Sequence, residues 1–215
     1  MADTQGEKQG GIRGFLACAW AILCRPSAKW SMGLLAGGGF VGGILFWGAF
    51  NWAVELSNTE TFCISCHEMR STVYEEMKKT VHYANRTGVR ATCPDCHVPK
   101  EWGPKMVRKI QASFNELPLH LIGAMDTPEK FEAARLALAS NVWKSMKGAD
   151  SRECRNCHSL ASMDVEKQVR PAKRRHAEAR EQGKTCIDCH QGVAHKLPKD
   201  WEKTYERVTG VAPPK

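Results

Sequence analysis

Four times along this chain two cysteines stand three positions apart with a histidine directly after the second: Cys63-Ile-Ser-Cys66-His67, Cys93-Pro-Asp-Cys96-His97, Cys154-Arg-Asn-Cys157-His158 and Cys186-Ile-Asp-Cys189-His190. These motifs take up eight of the ten cysteines. Two thiols at this spacing can add across the two vinyl groups of one porphyrin, and the adjoining imidazole then reaches the iron from the proximal side. A zinc site would pair two C-x-x-C units or use separated histidines, and a redox dithiol needs no histidine at all, so neither accounts for the fourfold pattern. The expectation is four covalently bound haem c groups.

Four of the eight histidines lie outside the motifs: His82, His120, His176 and His195. Four haems could use up to four distal ligands, and six-coordinate iron leaves no open position for a substrate. The chemistry expected is therefore electron relay rather than catalysis on a small molecule at the metal. Thr92-Cys-Pro-Asp-Cys-His97 is echoed by Thr185-Cys-Ile-Asp-Cys-His190, and the first cysteines of successive motifs are spaced similarly in each half, 63 to 93 and 154 to 186. Each half also carries a histidine between its motifs, His82 and His176, so the chain reads as two dihaem units.

The elements that must position these groups are mostly helical. Trp102, Met106, Ile110 and Phe114 recur every four residues, with Lys105 and Lys109 on a neighbouring face, which predicts an amphipathic helix packed against haem. A second helix is expected to start near Pro128, capped by Asp126 or Thr127, and to stop before Gly148, with Phe131, Ala134, Leu138, Val142 and Met146 as its apolar stripe. Residues 167–184 are rich in Lys and Arg and read as a solvated basic face. Alternating Val/Ile runs are scarce, which argues against a sandwich or α/β core. Porphyrins supply the buried surface that the 215 residues otherwise lack.

From Met32 to Val54 no residue is charged. The run would reach ~35 Å as a helix, enough to cross a bilayer. It is too long for the apolar region of a cleaved signal, and no A-x-A-like site follows before Glu55. Arg13, Arg25 and Lys29 precede it and Glu55 and Glu60 follow, which places the N-terminus in the cytoplasm and residues 57–215 in the periplasm of a bacterium. Phe15–Leu23 is too short to span and is expected on the membrane surface, while Cys18 and Cys24 receive no role. Gly33/Gly37 and Gly38/Gly42 have small-x-x-x-small spacing compatible with a homodimer. The net charge is +8, but no nucleic-acid-reading motif accompanies it, so nucleic acid is not an expected partner. The expected fold is mainly α with much irregular structure, divided into a cytoplasmic segment 1–31, a transmembrane anchor 32–54 and a compact multihaem c-type cytochrome domain 57–215.

Several longer stretches give the chain a family resemblance. Pro26-Ser-Ala-Lys-Trp-Ser31, Phe62-Cys-Ile-Ser-Cys-His-Glu-Met69, Gly88-Val-Arg-Ala-Thr-Cys-Pro-Asp-Cys-His-Val-Pro99, Asp126-Thr-Pro-Glu-Lys-Phe-Glu132, Glu153-Cys-Arg-Asn-Cys-His158 and Ala194-His-Lys-Leu-Pro198 resemble the NapC/NirT family of membrane-anchored tetrahaem cytochromes c. The resemblance implies a quinol dehydrogenase of the bacterial inner membrane, in contact with membrane lipid. It would oxidise menaquinol or ubiquinol and pass electrons to a periplasmic reductase or its small cytochrome subunit in anaerobic respiration, nitrate reduction foremost. It further implies His82 as distal ligand of the haem on 154–158, His195 of that on 93–97 and His176 of that on 186–190. At the first haem the motif runs on as Cys-His-Glu-Met, so His67 and Met69 are both candidates, with Glu116, His120 or quinol on the other side. Lys109 and Glu116 match the family's quinol-site lysine and acid, and a seven-residue helical offset puts both on one face. Lys100 and Lys105 could stand in for Lys109.

Three other functions fit the same residues less well. The chain could serve nitrite reductase or several reductases, or conduct passively as an anchor fed by another dehydrogenase. A terminal reductase would need an open iron position. No fifth motif precedes Lys215, which disfavours a dedicated partner for trimethylamine N-oxide reduction.

Overall fold

Residues 12–23 and 29–213 are described by a computed structural model. Cys24, Arg25 and the Pro26–Ala28 part of the resemblance lie outside the described residues, as does the Arg13 side chain. Helix α1 (Ile12–Leu23) carries exposed Phe15, Leu16, Cys18 and Trp20. Helix α2 (Met32–Leu56) contains the uncharged run and buries none of its residues. Apolar side chains around its whole circumference, none of them buried among the described residues, are what a membrane helix requires.

Residues 54–215 form a separate compact unit. In chain order it contains α3 (Glu60–Cys63), α4 (His67–Ser71), α5 (Val73–Met77), α6 (Cys93–His97), α7 (Trp102–Leu121), α8 (Pro128–Gly148), α9 (Arg152–Arg155), α10 (Arg170–Glu181) and α11 (Trp201–Thr209), with 3₁₀ turns at Val165–Lys167 and Cys186–Asp188. Among the described residues there is no strand, and long irregular stretches join the short helices. Two long helices fall where the spacing predicts them. Thr127 caps α8 by accepting from the Lys130 N–H, and Pro128 takes the first turn, where its missing N–H costs nothing.

The side-chain core is small. Trp143 of α8, Ile187 and Tyr205 of α11 are buried, with Leu136, Met146 and Trp201 against them. The three aromatic rings sit 5.3–5.7 Å apart in tilted and edge-on pairs. Tyr205 donates its hydroxyl to the Ile187 carbonyl at 2.9 Å, which ties α11 to the fourth motif. The basic helix α10 has no buried residue, as the solvated-face reading expects.

Candidate metal centres

Each C-x-x-C-H segment folds as a tight helical turn or at a turn's boundary. In the third and fourth motifs the histidine N–H donates back to the first cysteine's carbonyl, His158 to Cys154 at 2.8 Å and His190 to Cys186 at 3.0 Å. The repeated Thr-Cys-x-Asp-Cys-His pattern has a local cause: Asp95 accepts from the Thr92 N–H at 2.9 Å and Asp188 from the Thr185 N–H at 2.8 Å, fixing the entry to each turn. Lys147 adds an ion pair to the fully buried Asp188 at 2.6 Å. Ahead of the third motif the chain turns through left-handed residues, Asp150 (φ 51°) and Ser151 (φ 48°). The buried Ser151 hydroxyl accepts the Ile187 N–H at 3.1 Å, joining the third motif to the fourth. None of the eight motif cysteines is in a disulfide.

Every motif histidine faces a histidine from elsewhere in the chain. Ring centres are 6.2 Å apart for His67 and His120, 6.2 Å for His82 and His158, 6.2 Å for His97 and His195, and 6.0 Å for His176 and His190. A metal–imidazole bond of about 2.0–2.1 Å on each side, plus about 1.1 Å from ligating nitrogen to ring centre, calls for roughly 6.3 Å between the centres of two axial imidazoles. The four gaps therefore fit one iron each, and the donor set suits haem.

Burial, with His195 beside it, brings His97 down to about 4, and burial also lowers His195 and His190. Imidazoles in the neutral form are the ones that can bind metal. Two of the outer histidines are oriented by an oxygen at Nδ1: His120 by Glu68 Oε1 and His176 by Gln168 Oε1, each at 2.7 Å. This leaves Nε2 of each ring for a metal.

The pairs do not keep to the halves of the sequence. His82 of the first half meets the third motif and His195, beyond the fourth motif, meets the second, so the domain is interlocked around its middle pairs. Neighbouring motifs also adjoin through their thiols: Cys63 lies beside Cys93, Cys96 near Cys157, and Cys154 near Cys186.

Around the first motif, Glu68 is buried and lies against both rings, 2.7 Å from His120 and 3.5 Å from His67 Nε2, while Met69 is half-buried on α4. Lys109 is half-buried and donates to the Ser57 carbonyl and hydroxyl, both at 2.9 Å. Burial holds it below the usual lysine value, and Cys63 lies within its electrostatic reach. Glu116 is not brought to Lys109. It pairs with Arg108 at 2.7 Å, and Lys105 pairs with Glu55 at 2.5 Å.

Sequence reasoning missed Ser57, Glu68, Gln168 and a buried pair, Glu76 with Arg135. Arg135 grips Glu76 through both guanidinium nitrogens at 2.7 and 3.0 Å, and Glu76 also accepts the Lys196 N–H at 3.0 Å. The residue that follows His195 is thereby fastened to α5 and α8. Only Glu68, inside Cys-His-Glu-Met, had a signal in its neighbours.

With this geometry in view, residues 25–200 match the NapC/NirT cytochrome c family, N-terminal region. The chain belongs to that family. It is 57% identical over 201 residues to "Denitrification system component NirT" of Stutzerimonas stutzeri, covering 93% of this chain and 96% of that protein. To "Cytochrome c-type protein NapC" of Escherichia coli K12 it is 57% identical over 185 residues, 86% of this chain and 92% of the relative. "Cytochrome c-type protein TorC" of the same strain is 43% identical over 83% of this chain, which spans 46% of that longer relative. No solved structure matches. As a NapC/NirT cytochrome the protein is an electron carrier of the haem c class, and among the described residues one helix near its N-terminus is long and apolar enough to cross a membrane.

Proposed function

We propose that this protein is a single-pass inner-membrane cytochrome with four haems that oxidises quinol and relays the electrons to a periplasmic reductase, nitrate reductase foremost. The observation that carries the reading is the set of four histidine pairs, each spaced so that its two rings would hold one iron between them. Cys63 and Cys66, Cys93 and Cys96, Cys154 and Cys157, and Cys186 and Cys189 would hold the porphyrins. His158 with His82, His97 with His195 and His190 with His176 would hold three irons, and His67 or Met69 the first, opposite His120. Haem, when bound, supplies one-electron acceptor sites for the two electrons that quinol releases.

The chain's own residues handle the protons and the fit of the quinol head. Lys109, half-buried beside the first motif, would exchange its bonds to Ser57 for one to a quinol oxygen. Glu116, released from Arg108, would serve as the proton acceptor that the family resemblance assigns. Residues 57–215 lie on the periplasmic side in this reading, because cations precede α2 and acids follow it. Equal identity to NapC and to the denitrification component NirT supports a second reading in which nitrite reductase or several reductases are served.

The test mixes the detergent-solubilised holoprotein anaerobically with menaquinol or ubiquinol analogues and follows the haem absorption band in wild type and Lys109→Ala. Fast reduction in wild type, slowed at least about 100-fold by the substitution with haem content unchanged, is the expected result. No quinol reduction in protein that dithionite reduces fully would leave a passive conducting anchor.

A further inference from the structure

Helix α7 is amphipathic in the reverse sense of a water-facing helix. Its polar side is the one held to the rest of its domain: Lys105 pairs with Glu55, Lys109 donates to Ser57, and His120 bonds the buried Glu68. At about 100° of turn per residue, Val107, Ile110, Phe114, Leu117 and Leu121 fall within roughly 80° of arc. All five are exposed, Phe114 at 77% and Leu121 at 73%. The stripe is centred about 100° round the helix from His120, so it is not the face that meets His67. A helix bathed in water would turn this stripe inward, and five contiguous large apolar side chains mark a contact with something other than water.

The structure also points to what that contact is. Leu56 is the last residue of the apolar helix α2, and the residues on either side of it, Glu55 and Ser57, are the ones that Lys105 and Lys109 of α7 hold. Helix α7 is thus fastened where the chain leaves its membrane-length segment. Lys105, Arg108 and Lys109 on one side with Phe114, Leu117 and Leu121 on the other is the composition of a helix that lies in a membrane interface. We propose that the apolar stripe of α7 is seated in the headgroup–acyl boundary of the bilayer that α2 crosses, so that the haem domain rests on lipid through an interfacial helix in addition to its anchor. The inference rests on the membrane reading of α2 and is independent of quinol oxidation.

The full-length holoprotein is reconstituted at a low protein-to-lipid ratio in vesicles of phosphatidylethanolamine and phosphatidylglycerol that contain a phospholipid with a photoreactive diazirine in its acyl chain. After illumination, peptides are mapped by mass spectrometry. Label on the tryptic peptide 110–130 as well as on Met32–Leu56, with none on α10, is the expected result. Phe114→Asn with Leu121→Asn should remove the label from 110–130 while Met32–Leu56 labelling and the haem spectrum stay unchanged. Label confined to Met32–Leu56, with 110–130 modified instead by a water-soluble diazirine, would overturn the proposal and assign the stripe to water or a protein partner. Should the double variant lose its haem spectrum, the wild-type labelling pattern alone decides.

Discussion

Glu68 and Gln168 each hold a histidine by Nδ1 at 2.7 Å, and the two acceptors differ in charge. A carboxylate makes its imidazole the more basic ligand and favours the oxidised metal, whereas an amide carbonyl orients the ring with less electronic effect. Glu68→Gln should therefore raise the midpoint potential of one haem and leave the others in place, by on the order of 60 mV for each tenfold change in ligand binding. A potentiometric titration of the visible band checks this, and four unmoved waves would contradict it. His176→Ala removes the partner that faces His190 at 6.0 Å. One haem in four should then become high-spin by electron paramagnetic resonance, and an unchanged low-spin spectrum would mean that another side chain holds that site.

Among the elements, α5, α8 and the segment after His195 meet at one ion pair, so its strength decides how firmly His195 is presented to His97. The Arg135 side chain is 7% exposed and that of Glu76 is 11%, and removing one partner of such a pair leaves an uncompensated buried charge. Arg135→Met should cost about 3 kcal/mol in chemical denaturation. Burial alone would raise the Glu76 carboxyl, but the bonds from Arg135 and the Lys196 N–H outweigh it and hold the group below its ordinary value of 4.5. The stabilisation is then complete above that value and is lost as pH falls through the lower folded-state value. Acid unfolding of Glu76→Gln should accordingly be less steep than that of wild type, although the variant is weaker at neutral pH.

Helix positions were legible at this scale because capping residues and 3.6-residue periodicity are local: Thr127, Pro128 and the spacing of Trp102 to Phe114 located α8 and α7. What periodicity does not encode is which side of a helix faces the interior. Of the α7 residues read as one apolar face, Trp102, Ile110 and Phe114 are exposed and Met106 is half-buried, while Lys105, Lys109 and His120 have partners within the domain.

For the whole molecule, the four segments proposed to hold haem stand out in the sequence because thioether chemistry demands contiguous Cys-x-x-Cys-His. The partnering of His82 with His158 and of His195 with His97 joins residues some 75 to 100 positions apart, and only the family resemblance carried it. The crossing has a measurable consequence. A fragment of residues 1–125 retains the first two motifs but only the His67–His120 pair, so its second haem should be high-spin, while co-expression with 126–215 should restore a low-spin spectrum. Lys109 and Glu116 share a helix face as the offset requires, yet their present partners, Ser57 and Arg108, come from tertiary packing and the helix surface that no spacing reveals.

The relay itself is tested most directly by counting electrons. Anaerobic titration of the full-length holoprotein with menaquinol, followed at the haem band, should reach full reduction at about two quinols per protein, because each quinol yields two electrons and four haems take one each. A protein that accepts four electrons from dithionite and none from menaquinol, nor from ubiquinol in a parallel titration, would contradict the account.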